Sequence, residues 1–400
     1  MSHIVEFSIT GLAGRKDVYA QTLDRHVNVF FGPNGSGKTS LLKILHSAMS
    51  GDPRIPRGIP FRAAEVKVYS KKYEGVFTHT ISMEPTKPPK RMELEADTSE
   101  LFSSFAEYFD LPSEVLRRIG PRDPGFPAWT EEPDIRGGEK GGWAHRYLPT
   151  SRLYLGRRTV ESRLLRSSPG ALSEDLLDQY YAETLQALWR NYYHDILTAV
   201  SEAQEDGLAS ILKAVLSGKK QPKEKLRKVD VETAYDRVAK FLQRQGSPDI
   251  LGSLETFEKH YEENPQLRNV VSDINEIEKR IAEAMTPRDK LETLIQNMFA
   301  RNKRVYFRDR SIDVMTDDEE VIGLSTLSSG EKHVLRIFIE TLLAEENTIL
   351  IDEPELSMHV DWQKELIATM RQLNPSSQIV LATHSPEIMA DVSDDTIFRL

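Results

Sequence analysis

The chain has 400 residues, 39% of them hydrophobic, enough for one large domain with an insertion or for two domains. Its 62 acidic and 52 basic residues leave a net charge of −10, so no global attraction draws it to nucleic acid, and any such contact would come from local patches. It has no cysteine, which excludes disulfides and cysteine-ligated zinc, and no apolar run of membrane-spanning length.

The N-terminus, Met1-Ser2-His3-Ile4-Val5-Glu6-Phe7, alternates polar and apolar residues and predicts a strand with no signal peptide before it. His26-Val27-Asn28-Val29-Phe30-Phe31 is short, apolar and partly β-branched, as a buried strand is. The loop Gly32-Pro33-Asn34-Gly35-Ser36-Gly37 follows. Lys38, Thr39 and Ser40 then open a helix carrying Leu41, Leu42, Ile44 and Leu45. At average composition, G-x-x-x-x-G-K-[ST] occurs by chance in roughly one chain in a hundred of this length, so alone it is a hint. Its chemistry is specific. Small residues let backbone N–H groups turn inward around a phosphate, and the helix start adds the positive end of its dipole. Lys38 is then the cation for the β- and γ-phosphates, and Thr39 a hydroxyl ligand for Mg²⁺. The bland alternative is a glycine-rich turn.

Residues 63–69 and 75–81 read as an antiparallel pair. Across 118–143, Pro121, Pro124, Pro127, Pro133, Gly137, Gly138, Gly141 and Gly142 predict a loop. Arg152, Arg157, Arg158, Arg163 and Arg166 form a basic cluster, suited to nucleotide or dimer contacts or to a solvated face. From about 170 to 300 the pattern is helical. Ser173 is a candidate N-cap. Leu177, Tyr181, Leu185, Leu188, Tyr192 and Ile196 then make one stripe. Tyr180, Tyr181, Trp189, Tyr192 and Tyr193, at helical spacing, read as packing rather than base stacking. A later stripe holds Ile274, Ile277, Ile281 and Met285, with Leu291, Leu294, Ile295 and Met298 past Pro287. A helix of ~40 residues reaches ~60 Å, which predicts a compact helical lobe or short arm. Lys219, Lys220, Lys223, Lys225, Arg227 and Lys228 form a second basic cluster, a solvated connector or a phosphate-backbone contact. Arg301, Lys303, Arg304, Arg308 and Arg310 form a weaker third.

Leu327-Ser328-Ser329-Gly330-Glu331 precedes an amphipathic helix with Val334, Leu335, Phe338, Ile339 and Leu342. Alone it reads as a helix cap, although such an N-terminus also suits an anion. Residues 347–351 predict a buried strand ending in Asp352-Glu353. A carboxylate there needs a cation or a partner. Mg²⁺ would serve Asp352, and Glu353, one step further out, could polarise a water; otherwise it is a surface loop acid. Residues 378–383 predict a further strand, which delivers His384.

These motifs, in this order, resemble those of ATP-binding-cassette (ABC) ATPases. The run Asp352-Glu353-Pro354-Glu355-Leu356-Ser357-Met358-His359, followed by Asp361-Trp362-Gln363, looks like that of soluble members of the SMC, RecF and overcoming-lysogenisation (OLD) type. So do Phe31-Gly32-Pro33-Asn34-Gly35-Ser36-Gly37-Lys38-Thr39 and Thr383-His384-Ser385-Pro386. The resemblance covers about 1–155 and 300–400 and implies that His384 contacts the γ-phosphate and the water. It also implies that Ser328, Ser329, Gly330 and Glu331 cover the nucleotide of a second copy in a head-to-tail dimer. Two departures argue against a transporter subunit. Tyr147-Leu148-Pro149-Thr150-Ser151-Arg152 stands where a loop glutamine is expected, and Ser329 and Glu331 stand where transporters usually have Gly and Gln.

The expected fold class is therefore α/β, a P-loop ABC-ATPase sandwich with a mixed central sheet plus a mostly helical insertion. The expected domains are an N-terminal ATPase lobe over 1–155, the insertion over 156–300 and a C-terminal lobe over 301–400. The expected site comprises catalytic Glu353, His384 and Lys38, nucleotide-binding Gly32 through Ser40 with Ser328 through Glu331, and Mg²⁺ held by Thr39 and Asp352. The implied function is a cytoplasmic ATPase that dimerises on ATP and gates an effector in phage defence, with a RecF-type DNA-repair ATPase as the alternative. Sixteen residues follow His384 and no nuclease constellation stands out, so the expected effector, such as a nuclease, is a separate chain.

Overall fold

The computed structural model describes residues 2–56, 58–83, 128–133, 143–150, 174–217, 230–244, 251–299 and 303–400. The chain divides into two compact units, residues 1–154 with 344–400, and residues 155–343. Elements are numbered in chain order. Among the described residues no helix is long and apolar enough to cross a membrane.

The first unit holds two sheets. β1 (Ser2–Thr10), β2 (Val18–Thr22), β4 (Ala63–Ser70), β5 (Gly75–Ser82) and β6 (Thr130–Glu132) pair antiparallel in the order β2-β1-β4-β5-β6. The expected pairing of residues 63–69 with 75–81 is β4 against β5. β3 (Val27–Phe31), β7 (His145–Leu148), β11 (Thr348–Asp352), β12 (Gln378–Thr383) and β13 (Ile397–Arg399) pair parallel in the order β13-β3-β12-β11-β7. The mixed character is thus split between an antiparallel and a parallel sheet. Every residue of β11 and β12 is buried, as strands covered on both faces must be, and this is why they read as unbroken apolar runs.

Helix α1 (Lys38–Ser50) buries Leu41, Leu42, Ile44 and Leu45 in one core with Ile4, Phe7 and Ile9 of β1, Leu350 of β11 and Val380 of β12. Gln378 joins the sheets. Its amide oxygen accepts from Ile4 N at 2.9 Å and Thr348 Oγ1 at 2.8 Å, and its Nε2 donates to the carbonyls of Ile4 and Asp24. A second clasp lies between α1 and β7. The carbonyl of Trp143 can only accept, so His145 Nδ1 donates to it at 2.8 Å. His145 Nε2 then accepts from His46 Nδ1 at 2.6 Å. Burial holds the His145 ring down to about 4, which keeps it neutral for this role. Helices α7 (Val360–Leu373) and α8 (Pro386–Met389) complete the unit.

The second unit is mostly helical. It contains α2 (Glu174–Ser217, 44 residues), α3 (Val231–Arg244), α4 (Leu254–Glu263), α5 (Pro265–Met298, 34 residues) and α6 (Ser329–Leu343). A small antiparallel sheet, β10-β9-β8, is built from β8 (Lys303–Phe307), β9 (Ile312–Thr316) and β10 (Val321–Ile322). On α2 the buried stripe is Tyr181, Leu185, Trp189, Tyr193 and Ile196, with Leu188 and Tyr192 only partly buried. Trp189 takes the central place. It packs 4.7 Å from the Phe307 ring and donates its Nε1–H to the carbonyl of Arg308 at 2.7 Å. Helix α5 runs unbroken through Pro287. Leu291 and Ile295 beyond it are fully buried, Arg288 donates to Phe307 O, and Glu292 accepts from Phe307 N, so tertiary contacts hold the helix across the missing backbone donor. Several sequence expectations lie outside the described residues: most of 118–143, Ser173, Arg301 and the basic clusters at 152–166 and 219–228.

Gly207 sets how closely α2 approaches α5. A Cβ there would lie 2.1 Å from Ile277 Cγ1. Gly207→Ala should gain about 1 kcal/mol of helix propensity yet cost about 1–3 kcal/mol in overpacking, for a net loss near 1 kcal/mol. A lower thermal unfolding midpoint is the expected result.

Candidate functional site

In the parallel sheet, β12 lies between β3 and β11, so the carboxyl ends of these three strands lie side by side. They deliver Gly32 after β3, Asp352 and Glu353 at the end of β11, and His384 after β12. This edge is where α/β sheets place their ligands.

The loop from Gly32 to Gly37 leads straight into α1. Gly37 is the N-cap with φ 104°, a conformation that side chains disfavour, and it turns the chain into the helix. Pro33, Asn34 and Gly35 are exposed, while Gly32 and Ser36 are buried. Lys38 is buried, and its ammonium group donates to the carbonyls of Gly32 at 2.8 Å and Pro33 at 3.1 Å. The lysine therefore folds back across the loop. Arg15 Nη2 donates to Ser36 O at 3.1 Å from outside. Ser40 follows Thr39 in the first helical turn.

Asp352 ties the site together. It is 2% exposed. Thr39 Oγ1 donates to its Oδ1 at 3.1 Å, and Thr150 Oγ1 donates to its Oδ2 at 2.6 Å. Burial raises its pKa, opposed by the two threonine hydrogen bonds and then by Lys43 and Lys38. Thr39 and Asp352, the two expected Mg²⁺ ligands, are thus direct neighbours. They fit the ion by chemistry. Mg²⁺ is bound by oxygen donors, commonly one or two carboxylates with substrate phosphates, and in the glycine-rich loop the buried Ser36 hydroxyl has no partner among the described residues.

Glu353 has φ 50° and donates its N–H to Ala382 O of β12 at 2.7 Å. Its carboxylate is 4.0 Å from His384 Nδ1. His384 is exposed, and its Nδ1 lies closer to another acid, Glu355, at 2.9 Å. Nothing local in the sequence marks Thr150 and Glu355 as contacts of Asp352 and His384.

The turn at Ser328–Glu331 belongs to the second unit. It is a reciprocal capping box: Glu331 N donates to Ser328 Oγ at 3.2 Å and Ser328 N donates to Glu331 Oε2 at 2.6 Å. Lys303 adds an ion pair to Glu331 at 3.2 Å. Burial works to raise the Glu331 pKa, but the bonds from Ser328 and Lys303 outweigh it and the carboxyl is held below its ordinary value. Ser328 and Ser329 are exposed and Gly330 is buried, so the start of α6 is a formed helix cap with two hydroxyls at the surface.

The chain matches the family model described as "AAA domain, putative AbiEii toxin, Type IV TA system" over residues 27–390. It is 27% identical over 103 residues to the Retron Ec83 probable ATPase of Escherichia coli, 22% of this chain and 19% of that protein. Over 55 residues it is 34% identical to the Septu protein PtuA of Bacillus thuringiensis, 14% of each chain. The matched stretches span less than a fifth of these relatives. Among solved structures it is similar to the SMC head domain from Thermotoga maritima, at 10% identity and a TM-score of 0.37, over 97% of this chain and 91% of that one. At such a score the fold rests on the strand order above and not on the neighbour.

A raised carboxyl pKa in the folded state means that the ionised form costs stability, and that this cost is relieved as pH falls through the carboxylate range. Asp352→Asn should therefore unfold no lower than the wild type at neutral pH without nucleotide, with the difference shrinking on acidification. The same variant should lose the stabilisation given by ATP with Mg²⁺. Thermal melts across pH, with and without Mg²⁺–ATP, check both halves.

Proposed function

The chain belongs to this AAA-domain family, and on that premise we propose that it is an ATPase that closes into a head-to-tail dimer on ATP and gates a separate effector in prokaryotic anti-phage defence. The observation that carries the ATPase part is the hydroxyl–carboxylate bond from Thr39 to Asp352, which joins the glycine-rich loop to the strand that ends in Asp352-Glu353. The family description and the retron and Septu relatives support the defence part. In this reading residues 1–155 and 301–400 are the ATPase lobes and 156–300 the insertion.

The roles follow from the chemistry. Gly32, Pro33, Asn34, Gly35, Ser36 and Gly37 offer backbone donors to the phosphates, with Ser40 behind them in the first helical turn. Lys38 would exchange its two carbonyl partners for β- and γ-phosphate oxygens. Thr39 and Asp352 would hold Mg²⁺, which when bound neutralises the phosphate charge. Glu353 orients and polarises the attacking water, and His384 contacts the γ-phosphate. Ser328, Ser329, Gly330 and Glu331 of one copy would close on the nucleotide held by the other, with the exposed hydroxyls and the start of α6 meeting its negative charge.

Glu353→Gln keeps the shape of the side chain and removes the base. ATP hydrolysis should fall by at least ~10²-fold while ATP still binds, and the variant should accumulate as a dimer in sizing experiments with ATP. Lys38→Ala should lose affinity for a fluorescent ATP analogue and stay monomeric. A Glu353→Gln protein that remains monomeric at saturating ATP would sink the dimer, whereas unchanged analogue binding by Lys38→Ala would sink the nucleotide site itself.

A further inference from the structure

We propose that Glu355 is a positioning residue that works through His384. It sets which ring nitrogen carries the proton and holds the imidazole in place for the γ-phosphate and water.

Glu355 lies one residue past Pro354, in the turn that leaves β11. Its side chain is 5% exposed, and its Oε1 accepts from Thr383 Oγ1 at 2.8 Å and His384 N at 2.8 Å, while His384 Nδ1 lies 2.9 Å from the same oxygen, at ion-pair distance. The first two bonds fix the end of β12, so the backbone carrying the histidine and the histidine ring are held by one oxygen. A carboxylate oxygen only accepts, and at 2.9 Å it favours the ring proton on Nδ1, where a bare nitrogen would face it lone pair to lone pair. Nε2 is then the nitrogen left for substrate. In the neutral ring it can accept from a water. Should it take up a proton, it would donate to a phosphate oxygen, and the neighbouring carboxylate would stabilise the charge.

A purely structural anchor would not need a charge here. The second oxygen, Oε2, is buried with no partner among the described residues. A half-satisfied buried carboxylate is costly, and such a cost calls for a functional reason. Glu353 reaches the same Nδ1 only at 4.0 Å and is the more exposed acid, so the ring pairs with Glu355 and not with the neighbour that the proposed hydrolysis uses.

The kinetic half of this proposal rests on the ATPase reading, while the structural half does not. Histidine nitrogens can be followed by NMR in the purified full chain without nucleotide. The His384 resonance is assigned by its loss in His384→Ala, and the wild type should show the proton on Nδ1. In Glu355→Ala it should move to Nε2 or become mixed. In turnover, Glu355→Ala should lower kcat by ~10–100-fold with KM for ATP within ~2-fold, the scale seen when a partner that orients a functional histidine is removed. In a His384→Ala background the same change should cost no more than ~2-fold, because two residues that act as one unit are not additive. Glu355→Gln preserves size and hydrogen bonding and guards against a folding defect. It should give a mixed ring proton and an intermediate kcat. An unmoved proton in both variants, or an equal loss with and without His384, would overturn the proposal. A wild type that hydrolyses no ATP yet shows the expected proton shift would overturn the ATPase reading and leave the pairing standing.

Discussion

A carboxylate withdrawn from water at the end of a buried strand is the constraint from which the rest of the first unit can be read. Asp352 closes β11, every residue of which is buried, and an ionised oxygen in that position needs donors. Two threonines supply them from distant parts of the chain, Thr39 from the first turn of α1 and Thr150 from just past β7. The two bonds recover only part of the cost, since burial still dominates and leaves the Asp352 pKa raised. The parallel order of the strands makes the arrangement possible. With β12 between β3 and β11, the turn after each strand opens on the same edge. The glycine-rich loop, the acidic pair and the histidine meet there because the sheet is parallel, and not because any of them attracts another.

What was legible in the sequence follows the same physics. β3, β11 and β12 are covered on both faces, so they read as apolar runs, and α1 reads from the leucines that it turns into the core. Contacts across the chain left no such trace. Thr150 is 202 residues from Asp352 and looks like any other loop threonine. Glu355 sits in the run that follows Asp352, but its bond to His384 depends on where β12 ends. The periodicity of α2 points to Leu188 and Tyr192, while Trp189 and Tyr193 are the buried positions. Adjacent helical positions differ by about 100°, so a stripe with apolar residues on both flanks does not settle its own centre. Trp189 settles it through its bond to the Arg308 carbonyl and its packing on Phe307, neither of which periodicity can see. Pro287 is a further case, since a breaker residue gives way to the contacts made by Arg288, Leu291, Glu292 and Ile295.

The turn from Glu353 to Met358 separates two acids that look alike in sequence. Glu353 takes φ 50° and Ser357 φ 63°, both in the left-handed region that non-glycine residues seldom occupy. The first is held by the Glu353 N–H to Ala382 O bond, which ties the residue to the strand next door just as its own strand stops. The chain then reverses direction quickly enough for the carboxylates of Glu353 and Glu355 to come to the same ring nitrogen, at 4.0 and 2.9 Å. Their surroundings divide them. One oxygen of Glu355 accepts two hydrogen bonds and faces the His384 ring at 2.9 Å in a closed environment, so that carboxylate is a fixture. The carboxylate of Glu353 has only the histidine, at 4.0 Å, among the described residues and is 20% exposed, so it can still take a water. Burial and hydrogen bonding thus set two carboxylates beside one ring apart. The strained backbone at Glu353 is the local cost of placing both beside one histidine.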